Sequence, residues 1–148
     1  MLDDTINALP LLNISMKYSP PKINLRLGRI ADDNGNEINA QLRLDHKLPN
    51  DVTNAELEYY HDTFPFLAPY DLLFYLYPVI HNWAQNKNTD YLESYLYSIC
   101  TYWSLLRPQL NKNDMSEIRA VFTLVRSNRA EIDWDNIESC TDIFNNVA

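Results

Sequence analysis

The sequence predicts a mainly α-helical protein, a single-domain helical bundle over residues 1–148 around a buried central helix with a proline kink. Apolar residues recur at helical spacing over several long segments. A chain of 148 residues is long enough to form one domain with its own core. Residues 64–83 contain one acidic side chain and no Lys or Arg, which is typical of a helix enclosed by neighbours on most sides.

The central helix is predicted to begin near Pro69, because proline is well tolerated at the first helical position. Its core face holds Leu72, Leu73, Leu76, Val79, Ile80 and Trp83. Pro78 has no N–H for the carbonyl of Phe74, so we expect a kink or a broken turn, with the freed carbonyl bound by water or a hydroxyl. The apolar run is too short and too interrupted to span a membrane.

The chain before the central helix is harder to interpret. An apolar stripe predicts a short helix over residues 2–9. Pro10, just before residues 11–21, and Pro20 and Pro21 at their end predict that this segment is an extended connection. Residues 22–44 have two interpretations. Alternation of apolar and polar residues around Asn34-Gly35 favours a short β-hairpin. A helix over residues 25–33 is the alternative.

Two helices flanking the central one are predicted from their start signals and apolar stripes. Thr53 or Asp51 is the possible N-cap of the first, and Glu56 lies three residues beyond Thr53, which is the spacing of a capping box; this helix is predicted to run to about Thr63. Residues 90–106 form a regular amphipathic pattern that ends at Arg107-Pro108.

Two more helices are predicted toward the C-terminus. Asn113 is expected to cap the first, with Glu117, Arg119 and Arg126 facing water. The second is predicted over residues 133–147, with its acidic residues favourably placed at the positive end of the helix dipole.

The cysteines and the N-terminus bear on the cellular compartment. Cys100 and Cys140 are the two cysteines, and both fall at apolar positions of predicted helices. We therefore expect two buried thiols in a reducing compartment, with no disulfide. The acidic start of the chain does not resemble a secretion signal, so the cytoplasm is the expected location.

The net charge of the chain indicates which classes of partner it can bind. Twenty acidic against twelve basic residues give a net charge of −8. Such a chain repels nucleic acid and anionic membranes and attracts basic proteins at raised association rates. The acids form two clusters, of which the first lies in a region, residues 48–86, without Lys or Arg. Six of the ten tyrosines are more phenols than a core of this size is expected to satisfy, although packing in the core or at its rim explains most of them: Tyr59, Tyr60, Tyr91, Tyr95, Tyr97 and Tyr102. A surface tyrosine beside carboxylates is typical of a protein-binding face. The candidate partner-binding residues are Asp51, Glu56, Glu58, Tyr59 and Asp62, followed by Glu131, Asp133, Asp135 and Glu138.

Residues 25–33, 48–52 and above all 66–78 resemble a family of small uncharacterised bacterial proteins, a domain of unknown function. The centre of that family reads Phe-Leu, a short linker, an aromatic pair, then Leu-Pro and Ala-Tyr. The resemblance covers most of the chain. This sequence departs from it by an additional Tyr77 before Pro78 and by lacking a Trp near Pro49. The resemblance implies a helix over residues 25–33, and it assigns no reaction.

These features lead to the hypothesis that the protein is not an enzyme and binds no cofactor. The protein is interpreted as an acidic binding protein, in its concrete form a bacterial immunity protein that neutralises a cationic nuclease toxin. The alternative is a metal-dependent hydrolase using the pair His61-Asp62, with His46 and Asp71 as further ligands. A purely structural oligomerisation module is the third class. With only two glycines, the chain cannot form a glycine-rich phosphate loop.

Overall fold

A computed structural model describes residues 12–21, 48–86, 90–129 and 131–144, and it confirms the mainly α-helical fold. These residues form no strand and seven α-helices: α1 (Asn13–Lys17), α2 (Asn54–Tyr59), α3 (Pro69–Phe74), α4 (Leu76–Asn86), α5 (Asp90–Leu106), α6 (Lys112–Asn128) and α7 (Trp134–Cys140). Among them, no helix has both the length and the apolar character needed to cross a membrane. The helix predicted over residues 2–9 and the hairpin or helix within residues 22–44 lie outside the described residues.

The central helix is broken, as the proline predicted. Tyr75 separates α3 from α4, and its N–H donates to the carbonyl of Leu72 at 3.0 Å in a tight final turn. The Val79 N–H then donates to the Tyr75 carbonyl at 2.9 Å and opens α4. The break lies just before Pro78, because the proline ring would clash with the carbonyl four residues earlier. Every residue from 71 to 80 is buried, so the break is in the core.

A hydroxyl from a distant part of the chain occupies the break. Ser15, which has 0% of its surface exposed, donates its Oγ–H to the Leu73 carbonyl at 3.2 Å and accepts from the Tyr77 N–H at 3.0 Å. In an unbroken helix these two backbone groups would bond to each other. Ser15 lies in α1, so the extended connection predicted over residues 11–21 is wrong over Asn13–Lys17.

Helix α1 is held in place by α6 as well. Both carboxylate oxygens of Glu117 accept backbone N–H groups at the start of α1, from Asn13 and Ile14, each at 2.8 Å. Lys17 at the end of α1 contacts Asp114 at 2.9 Å. Glu117 therefore does not simply face water, as its helical position predicted, but caps another helix.

Helix α5 packs against four of the other six described α-helices. It contacts α2, α3, α4 and α7. The buried Tyr95 hydroxyl donates to the Leu72 carbonyl at 2.6 Å, so α5 also binds a backbone group next to the break. The bounds of α5 match those predicted from its apolar stripe.

Two helix boundaries differ from the prediction. Helix α2 ends at Tyr59 rather than near Thr63, since a turn and a short 3₁₀ helix follow it. Helix α6 is capped by Asn111 rather than Asn113, and the Asn111 side chain accepts from the Asp114 N–H at 2.8 Å. The capping pattern is therefore present, but it begins two residues earlier.

The last helix is shorter than predicted. Helix α7 ends at Cys140, and the described residues that follow are not helical. Two residues of α6 that were expected to face water, Arg119 and Arg126, contact the segment after α7. Arg119 donates to the Ile143 carbonyl at 2.7 Å, and Arg126 lies over the Phe144 ring.

The prediction of two buried thiols is wrong, because Cys140 is exposed and Cys100 is only partly buried.

Replacing Ser15 by Ala tests the hydroxyl in the break. The Tyr77 N–H and the Leu73 carbonyl would lose their partner in a buried site, so the free energy of unfolding should fall by about 1–3 kcal/mol. Urea denaturation measures the change. Ser104→Ala is the matched control, since Ser104 is exposed on α5, and it should stay within about 0.5 kcal/mol of the parent. Equal stability of the two variants would contradict the role given to Ser15.

Candidate partner-binding surfaces

The first acidic cluster is built around the start of α2. Thr53 and Glu56 form the predicted capping box: the Glu56 N–H donates to Thr53 Oγ1 at 3.3 Å, and the Thr53 N–H donates to Glu56 Oε2 at 3.2 Å. The Glu56 residue is only 8% exposed. Its carboxylate therefore stabilises the helix terminus, and the prediction that it contacts a partner does not fit its position.

The other members of the cluster reach the surface. Asp51, Glu58 and Asp62 are exposed. Tyr59 is half-buried, with its ring edge-on to buried Tyr60 at a centroid distance of 4.8 Å. Asp51, Glu58, Tyr59 and Asp62 are called the first acidic surface below. It combines three exposed carboxylates with one aromatic ring.

A buried tyrosine anchors this surface to α5. The Tyr91 hydroxyl donates to the Asn54 Oδ1 at 2.6 Å, and the Asn54 Nδ2 donates to Glu58 at 3.0 Å. Burial raises the pKa of Tyr91, and the charge of Glu58 raises it further. The phenol therefore remains a proton donor throughout the neutral range, and it holds the first turn of α2 on α5.

The second acidic cluster lies around α7. Glu131 contacts Arg129, and Glu138 contacts Arg126 at 2.7 Å. The Asp133 side chain accepts from the Asn136 N–H at 3.1 Å and caps α7. Only one of the four acids, Asp135, is exposed without an ion pair or hydrogen bond to a described residue. The second cluster is therefore largely engaged within the protein.

A carboxylate beyond α7 anchors this cluster to the other end of α5. Asp142 accepts from the Trp103 indole N–H and from Arg107 Nε, each at 2.8 Å. Burial opposes the charge of Asp142, but the hydrogen bonds from Arg107 and Trp103 outweigh it and hold the pKa of the carboxyl below its ordinary value. The anchors Tyr91 and Trp103 are separated by about 18 Å along the axis of α5. The two acidic clusters are therefore attached at opposite ends of this helix.

The residues considered for a metal site that the structure describes, His61, Asp62 and Asp71, do not form one. The His61 Nδ1 lies 3.0 Å from the Glu58 carbonyl oxygen, Asp62 is exposed and Asp71 is buried. In the described parts of the chain, no group of three or more His, Cys, Asp or Glu side chains could hold a metal ion. His46 lies outside these parts. No observation therefore favours the hydrolase over the binding protein.

Several of the tyrosines considered for partner binding are internal. The hydroxyls of Tyr91, Tyr95 and Tyr102 donate to Asn54 Oδ1, the Leu72 carbonyl and the Pro65 carbonyl, each at 2.6 Å. Tyr97 is the exposed exception on α5, with 43% of its surface accessible. These three phenols thus join α5 to α2, to α3 and to the short 3₁₀ helix between them.

Comparison of the chain with protein-family models, with curated protein sequences and with solved structures yields no match. The resemblance to a bacterial family stays a prediction based on the segments that suggested it.

Asp142→Asn tests the anchor of the second cluster. A carboxyl with a depressed pKa in the folded state stabilises the protein above its unfolded pKa of about 3.9, and this contribution is lost as the pH falls through the lower folded pKa. We therefore expect the variant to be less stable than the parent at neutral pH and the difference to shrink below about pH 4. Urea denaturation across this range measures the difference. A difference that does not change with pH would contradict the ionic anchor.

Proposed function

We propose that the protein is a non-catalytic cytoplasmic binding protein that engages a basic protein through its first acidic surface. In its most concrete form, it is an immunity protein that neutralises a cationic nuclease toxin. The observation that supports this proposal is the exposure of Asp51, Glu58 and Asp62 on a part of the chain, residues 48–86, that has no Lys or Arg of its own.

The chemistry of the surface suits such a partner. A nuclease binds the phosphate backbone through Lys and Arg side chains, and these form a positive groove. A patch of carboxylates is complementary to that groove, and it accelerates association by electrostatic steering. Tyr59 adds an aromatic ring at the same surface, and tyrosine is among the residues enriched in protein interfaces. Occupying the groove would exclude nucleic acid from the toxin.

The first acidic surface is preferred over the second cluster because its three acids are exposed on a stretch of chain without Lys or Arg, whereas three of the four acids of the second cluster are used within the protein. Glu131 and Glu138 already lie against Arg129 and Arg126, so their field is partly compensated within the protein. Asp133 is used as a helix cap. The second cluster thus offers a basic partner less uncompensated charge than its number of acids suggests.

A pair of matched charge reversals tests the location. Asp62→Lys and Asp135→Lys replace one exposed aspartate each, so both change the net charge from −8 to −6. The immobilised parent should retain a basic protein from an extract of the cells that naturally contain it. Once that protein is purified, binding by calorimetry should be weakened about tenfold or more by Asp62→Lys and little by Asp135→Lys. Equal weakening, or a captured partner that is not basic, would contradict the proposal.

Salt provides a second test with the same purified partner. Exposed charges are screened over about 10 Å at 0.1 M salt and over about 3 Å at 1 M. The association rate measured by stopped flow should therefore fall by about an order of magnitude or more between low and high salt, while the dissociation rate changes less. A rate that does not depend on salt would show that the carboxylates do not steer the encounter.

A further inference from the structure

The C-terminal end of α7 lies beside the turn of α5 that carries one of the two cysteines. Asp142, which follows α7, bonds to Trp103 and Arg107 of α5. Cys100 precedes Trp103 by three residues, so the two side chains lie on neighbouring positions of the same helical face. Cys140 is the last residue of α7 and precedes Asp142 by two. These contacts bring the two cysteines of the chain to the same helix junction.

The two thiols have different access to solvent. Cys100 is partly buried and packs against the hydrophobic core. Cys140 is exposed, and it lines an open depression of about 540 Å³ together with Trp103, Ser104 and Arg107. Burial raises the pKa of the Cys100 thiol to about 12, and the neighbouring Cys140 thiol adds to the rise. The contribution of Cys140 to the raised pKa of Cys100 agrees with the proximity of the two thiols that the contacts between α5 and the α7 region indicate.

We propose that Cys100 and Cys140 form a reversible disulfide, which ties the end of α7 to α5 when the protein meets a hydroperoxide. This inference rests on the α5–α7 junction and does not depend on the proposed binding function. It also revises the expectation from the sequence that both thiols are inert and buried.

The reaction takes place in two steps. The exposed Cys140 thiol attacks hydrogen peroxide, the O–O bond breaks, and a sulfenic acid and one water are formed. The Cys100 sulfur then attacks the Cys140 sulfur, the S–O bond breaks, and the hydroxyl leaves as a second water with the proton of Cys100. Two thiols are oxidised and one peroxide is reduced. A thiol with a raised pKa is mostly protonated at neutral pH, so the closing step should accelerate as the pH rises.

The purified, reduced protein treated with hydrogen peroxide tests the inference. We expect the two titratable thiols to disappear together, the intact mass to fall by two hydrogen atoms, and dithiothreitol to restore both thiols. A digest without reductant should contain a peptide pair joined through Cys100 and Cys140. The reaction should be faster at about pH 8.5 than at about pH 7.

Cys100→Ser is the matched control, because it keeps the exposed thiol and removes its partner. Circular dichroism checks that this variant is folded, and its oxidation should end at the sulfenic or sulfinic acid of Cys140 without an intramolecular link. The proposal is overturned if the parent behaves like this variant, or if its only disulfide joins two copies of the chain. The intact mass and the disulfide-linked peptides are measured on the parent protein, so the test remains decisive even if the variant does not fold.

Discussion

The packing of the broken central helix depends on one hydroxyl, that of Ser15, which joins the Leu73 carbonyl to the Tyr77 N–H across the break. Pro78 makes an unbroken helix unfavourable, and all residues from 71 to 80 are buried, so no solvent is available for the freed backbone groups. A buried polar group without a partner costs about 1–3 kcal/mol. Ser15 in α1 therefore supplies a partner for two backbone groups, the Leu73 carbonyl and the Tyr77 N–H, that the break leaves inside the core.

The surface follows from the way the core is assembled. Tyr95 connects α5 to the carbonyl of Leu72 beside the break, and the same helix holds α2 through Tyr91 and the α7 region through Trp103. Buried aromatic side chains thus set the positions of both acidic clusters. Asp51, Glu58 and Asp62 of the first cluster are exposed, and Glu131 and Glu138 of the second contact arginines of their own protein. The number of acids in a cluster therefore does not by itself measure the charge that it offers to a basic partner.

Local sequence patterns predicted most of the helices but not how they contact each other. The bounds of α5 and the Thr53–Glu56 capping box depend on residues close in the chain, and both are as predicted. Ser15 and Glu117 bind groups far away in sequence, and no local pattern identifies such partners. Glu56 is different, because the capping pattern that predicted the start of α2 also implies that its carboxylate reaches back to the Thr53 N–H. That signal was available and argued against a partner contact.

The exchange of the Tyr77 amide hydrogen with solvent deuterium tests the central claim most directly, because this N–H has the Ser15 hydroxyl as its partner in place of a helical carbonyl. If the Ser15 bridge is formed in the buried core, the Tyr77 amide should exchange only when the whole protein unfolds, with an opening free energy equal to that from denaturant. Exchange as fast as that of an exposed turn would contradict the account, since it would show that the broken helix opens locally and that Ser15 does not close it.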